Sequence, residues 1–173
     1  TSLGDLYRDL DASHEALDVY KQAQAIAKQL NYGFLLFYLD LAEGVLNRIA
    51  NDLPKAKVLF ESAGQKSAES GSAYTANLLE SEWAMFYLAQ NKYQSALESG
   101  EAAYKFFHEG GHETESLRAA FSCALALAGS GDKDNALKYL DKIMATLMEN
   151  DYATPLIVQA REYQSILSSV KGR

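Results

Sequence analysis

The sequence predicts an all-α solenoid of about four helix-turn-helix repeats with a C-terminal capping helix, and three regularities predict it. Ala16, Ala56, Ala96 and Ala136 stand 40 residues apart, and Asp11, Asn51, Asn91 and Gly131 keep the same interval five residues ahead of them. Turn-prone stretches recur around Asn31, Gly71, Gly111 and Asp151, and between the turns apolar residues return every three or four positions. A fixed period of 20 to 50 residues is the mark of one supersecondary unit copied along the chain, each copy burying its apolar face against its neighbours. The expected repeats are 1–31, 32–71, 72–111 and 112–151, followed by a terminal helix over 152–170, all within one domain.

The first unit places Leu3, Gly4 and Tyr7 on a short first helix, and its second helix carries Ala16, Tyr20 and Ala23. In the second unit Phe34, Phe37, Leu41, Val45 and Ile49 form one helical face. Asn51-Asp52-Leu53-Pro54 stops that helix: Asn tolerates the left-handed conformation, Asp52 suits the next N-cap, and Pro54 suits a first turn. Ala56, Leu59, Phe60 and Ala63 then line the second helix up to Ser70-Gly71-Ser72. The third unit runs Tyr74, Leu78, Trp83, Phe86 and Tyr87, turns at Asn91, and resumes with Tyr93, Ala96, Leu97, Ala103, Tyr104 and Phe107. The fourth runs from Leu117 to Ala128, turns at Gly129-Ser130-Gly131-Asp132, and continues with Ala136, Leu137, Leu140, Ile143 and Leu147. Pro155 opens the terminal helix, whose face is Leu156, Ile157, Ala160, Tyr163 and Leu167. Small residues at Gly4, Gly44, Ala84 and Ala124 also repeat every 40, so close helix approach is expected on both sides of each hairpin.

Composition narrows the function classes. The chain is 48% hydrophobic and 23% charged, with two prolines and no low-complexity linker, as expected of a folded body. A formal charge of −7 speaks against direct nucleic-acid binding, which needs clustered Lys and Arg. Single Cys123, in the apolar run 119–128, reads as a buried structural thiol of an intracellular protein. No signal peptide or membrane span is visible, and the expected location is cytoplasmic. The chain opens at Thr1 inside a repeat, which implies a fragment of a longer protein.

The repeat resembles the tetratricopeptide repeat, with its Leu-Gly-x2-Tyr on the first helix and Ala-x3-Phe/Tyr-x2-Ala on the second. The matching residues are Leu3, Gly4, Tyr7, Ala16, Tyr20 and Ala23; Gly44, Ala56, Phe60 and Ala63; Ala84, Tyr87, Ala96 and Ala103; and, most divergent, Ala124, Ala136, Leu140 and Ile143. Two features depart from that pattern: the unit has 40 residues where the common repeat has about 34, and its closing proline is missing. Long repeats of this kind, with phrases such as residues 25–31 and Leu41-Ala42-Glu43-Gly44, resemble the sensor arms of bacterial maltose-activator-type and antibiotic-regulatory-type transcriptional regulators. The resemblance implies a right-handed superhelix whose first helices line a concave groove for a protein or peptide. An alternative guest is a small-molecule inducer; a purely structural scaffold, with self-association, is a further one.

Mapped by that register, the expected groove residues are Tyr38, Leu41, Ala42, Val45, Arg48 and Ile49, then Leu78, Ser81, Glu82 and Met85, then Arg118, Phe121, Ser122 and Leu125. Apolar ground with Arg48, Glu82 and Arg118 as polar anchors suits an extended or helical peptide. Arg48→Glu and Arg118→Glu are each expected to weaken binding without loss of helicity. The carboxylate clamp by which some members of the family hold chaperone tails is not expected, because its positions carry Thr1, Asp5, Ala42, Leu78 and Glu82.

No catalytic, cofactor or metal constellation is expected. His108 and His112 flank Gly110-Gly111 at a unit boundary, so a shared helical face is not implied. Glu80 and Glu82 lack the pattern of a glycosidase pair, and the paired glycines fall at repeat turns instead of after a strand.

Overall fold

The computed structural model describes residues 2–149 and 160–170, and every described element is helical. The helices are α1 (Ser2–Asp9), α2 (Ser13–Gln29), α3 (Gly33–Ile49), α4 (Leu53–Ser70), α5 (Ala73–Ala89), α6 (Tyr93–Glu109), α7 (Glu113–Ser130), α8 (Lys133–Glu149) and α9 (Gln164–Val170). The expected turn at Asp151 and the start of the terminal helix at Pro155, Leu156 and Ile157 lie outside the described residues.

The turns keep a beat twice as fast as the sequence repeat. Asp11, Asn31, Asn51, Gly71, Asn91, Gly111 and Gly131 all adopt positive φ, between 49° and 91°, at an interval of 20 residues. The turn within a unit and the turn between units are therefore the same device. At six of the seven, the next residue's N–H reaches back five positions, as in Ala12 N to Tyr7 O (2.8 Å), Asp52 N to Asn47 O (2.8 Å) and Asp132 N to Leu127 O (2.9 Å). This hydrogen bond closes the helix with a left-handed residue, a conformation open to Gly and tolerated by Asn and Asp. As expected, Asp52 caps α4, its Oδ1 accepting from Lys55 N at 3.2 Å, with Pro54 in the first turn. Ser72 and Asp132 do the same for α5 and α7's successor α8.

The chain forms two compact units, Thr1–Leu79 and Glu80–Arg173, and the division falls inside α5. In the first unit α1 packs on α2, α2 on α3 and α3 on α4. The matched alanines Ala16 and Ala56 are completely buried. Each sits on a helix whose ring, four residues on, fills the space left by a glycine: Tyr20 against Gly4, and Phe60 against Gly44. A Cβ on Gly44 would lie 2.5 Å from Phe60 Cε1 and 2.7 Å from Cδ1, so the ring occupies the volume a side chain would need. Polar links tie neighbouring helices: Ser62 Oγ donates to Asp40 Oδ2 at 2.6 Å and Lys66 pairs with Asp40 between α4 and α3, and Ser67 of α4 and Thr75 of α5 share a buried 2.7 Å hydrogen bond.

In the second unit Met85, Leu88, Ala96, Leu117, Ala120, Phe121, Leu125, Ala126, Ile143 and Tyr163 make one core. Gly100 stands where Tyr20 and Phe60 stand in earlier repeats, and a Cβ there would lie 2.9 Å from both Cys123 Sγ and Ser122 Oγ. Loss of the ring lets α7 settle directly on α6. Every residue of α7 from Ser116 to Ala128 except Arg118 is consequently buried, as expected of a helix apolar all round. Tyr163 and α9 cover this core by packing on α7 and α8, and Tyr163 Oη donates to Met85 O at 3.2 Å.

Candidate functional site

The residues expected to meet a partner are placed very differently by the packing. In the first unit Leu41 and Val45 are buried apolar side chains, Leu78 is half-buried, and Arg48 is only 5% exposed. Tyr38 is half-buried and belongs to a polar network: its hydroxyl donates to Asp5 Oδ2 at 3.0 Å, while Tyr20 donates to Asp5 Oδ1 at 2.7 Å. Arg8 Nη1 stands 3.6 Å from the same carboxylate. Burial, reinforced by the Asp5 hydrogen bond, holds the Tyr20 phenol well above its usual range. The network joins α1, α2 and α3, so Tyr38 has a structural task at its hydroxyl.

In the second unit Met85 is 1% exposed and Phe121 is buried in the same core, while Ser122 is 1% exposed with its Oγ donating to Ala119 O at 2.8 Å. These three offer no side-chain surface to a guest. For Ser122 the reason is the Gly100 approach, which turns its face of α7 towards α6, while Met85 and Phe121 belong to the unit's core. Glu82 and Arg118 are brought together: Arg118 Nη2 lies 3.1 Å from Glu82 Oε1, the carboxylate side chain 7% exposed and the guanidinium side chain 34% exposed. Glu82 Oε2 is buried and makes no hydrogen bond among the described residues.

These burials change what charge reversal would do. Glutamate at position 48 would put a new carboxylate in a site closed to water, and glutamate at 118 would set one against buried Glu82. Both substitutions are expected to cost stability, so the sequence-based expectation of intact helicity does not carry over to them.

An open volume of the second unit lies elsewhere. A cavity of about 500 Å³ is bounded by α6 (Tyr104, Phe107, His108), α7 (Glu113, Ser116, Leu117, Ala120) and α8 (Lys142, Ile143, Ala145, Thr146). None of the expected groove residues lines it. The His108 ring stacks on Tyr104 at 5.3 Å with a 15° interplanar angle, and Tyr104 meets Tyr139 edge-on at 5.6 Å. Lys142 Nζ lies 5.9 Å from the Tyr104 ring centre and 5.6 Å from that of Tyr139. Sequence reasoning passed over this cluster because Tyr104 and Ile143 match core positions of the repeat. The spacings Tyr104–His108 and Tyr139–Lys142, each within one helical turn, were the available signal.

Cys123 is fully buried, and burial, followed by the charge of Glu101, pushes its thiol up to about 12. His112 stands at the N-cap position of α7 and stacks on Phe106 at 6.3 Å, apart from the Tyr104–His108 stack. Among the described residues no group of three or more His, Cys, Asp or Glu is placed to hold a metal, and no helix is long and apolar enough to cross a membrane. Comparison with protein-family models, with curated proteins and with solved structures gives no match to this chain.

Proposed function

We propose that the chain is a protein- or peptide-interaction module, the sensor or assembly arm of a bacterial transcriptional or signalling regulator, built from long tetratricopeptide-like repeats and working in the cytoplasm. The Arg118–Glu82 pair carries the reading. A guanidinium one-third exposed and anchored by a buried carboxylate keeps its remaining N–H donors in a fixed orientation. An acceptor on a partner would meet it without the full cost of ordering a long side chain. Half-buried Ser81 and Glu115 lie one position before Glu82 and three before Arg118 on the same two helices, giving a polar margin to the contact.

The test is a peptide-display selection on the whole chain, followed by affinity measurement with Arg118→Gln and Arg118→Lys. Gln removes the charge without setting a second carboxylate against Glu82. Selected peptides should bind the Gln variant at least about tenfold more weakly, with Lys intermediate, while far-UV circular dichroism stays unchanged. Equal affinities for all three proteins would remove Arg118 from the binding face and with it the observation on which the reading stands. A small-molecule receptor is the second reading, favoured by the 500 Å³ cavity of the second unit.

A further inference from the structure

The cavity between α6, α7 and α8 has a chemistry of its own. Its floor is apolar, formed by Phe107, Leu117, Ala120 and Ile143, and one wall is the stacked pair of Tyr104 and His108. Lys142 borders it, its ammonium held over two tyrosine faces and forming no ion pair among the described residues. Ser116 lines it too and is 8% exposed. A serine in the lining can offer a ligand a hydroxyl that both donates and accepts. Forty residues before Thr146 the sequence has Phe106, so a hydroxyl stands where the preceding unit carries a ring.

We propose that this cavity binds a small planar aromatic carboxylate. The ring would lie on the Phe107, Leu117 and Ile143 floor beside the Tyr104–His108 stack, and the carboxylate would take Lys142 as its counter-ion. At about 500 Å³ the space is within the range that small-molecule sites occupy. An apolar body is favoured by the floor, and a negative head by the Lys142 ammonium, the only one among the described lining residues, whose cation–π contacts orient it without neutralising it. Glu113, exposed on the first turn of α7, opposes entry of an anion from its own edge and so favours an approach from the Lys142 side. This inference rests on the receptor reading and is independent of the Arg118 face.

Three probes of one shape separate the possibilities: indole-3-propionate, its neutral amide, and the cation tryptamine, each titrated into the whole chain and followed by ¹H–¹⁵N NMR. The acid should shift the amides of Ser116, Leu117 and Ala120 and bind at least about tenfold more tightly than the amide, with tryptamine weakest. Lys142→Gln, at an exposed helix position, should erase the preference for the acid over the amide, and Lys142→Arg should keep it. If the amide or tryptamine shifts the same residues as strongly as the acid, the carboxylate class is overturned although a receptor cavity remains. If no probe shifts these residues, the proposal and the receptor reading fall together.

Discussion

Gly44→Ala tests the central packing argument with a single methyl group. The new Cβ would lie 2.5 and 2.7 Å from two Phe60 ring carbons, about 1 Å inside ordinary carbon contact, and the fully buried ring has no open side to move into. Overpacking of this kind costs about 1 to 3 kcal/mol, and three ring atoms within 3.3 Å place this site at the upper end. Against it stands the gain from replacing a mid-helix glycine by alanine, up to about 1 kcal/mol. The net loss is then about 1 to 2 kcal/mol, or roughly 2 to 8 °C in Tm for a chain of this size.

The sequence supplies its own rescue, because the fourth repeat carries Ala124 and Leu140 at the positions of Gly44 and Phe60. Phe60→Leu alone should cost about 1 kcal/mol through lost ring packing. In the double variant the smaller side chain makes room for the methyl, so the cost should fall short of the sum by about 1 kcal/mol. Urea unfolding followed by circular dichroism and tryptophan fluorescence measures all three variants. A neutral Gly44→Ala, or strict additivity in the pair, would refute the claim that glycine at this register exists to admit the ring.

Other expectations follow from the turns and the buried thiol. Asn51, at φ 61°, should become less stable by about 1 kcal/mol as Ala and no less stable than wild type as Gly, since only a residue with a Cβ is strained there; thermal melts decide it. Cys123 should resist a thiol-reactive dye at pH 8 in the native chain and react at once in denaturant, and fast native labelling would contradict its burial. Its proton is lost near the ordinary 9.0 in the unfolded chain but near 12 in the folded one, so the folded state binds more protons in between. Stability should accordingly be intact below pH 9 and decline towards pH 12, by up to about 4 kcal/mol from this group, with a shallower decline in Cys123→Ala. The raised phenols of Tyr20 and Tyr139 act in the same direction as pH rises past their ordinary 10.0, and a flat alkaline profile would contradict all three.

The all-α class, the helix pairs and the turn positions were legible in the chain because they follow from local rules. A left-handed residue every 20 positions, written as Asp, Asn or Gly, stops each helix whatever it packs against, and Ala56 or Ala96 marks a close approach wherever the repeat places it. The binding face was not legible in the same way. A periodic stripe tells which residues leave the helix on one side, but whether that side meets solvent or another helix depends on how near the neighbour comes. At Gly100 a missing ring draws α7 onto α6 and sinks Ser122 into the core, while at Thr146 a missing ring goes with an open cavity. The same kind of loss, large side chain to small, has opposite outcomes at two sites. What meets the vacated space, α7 at Gly100 and an open volume at Thr146, is decided by the tertiary structure.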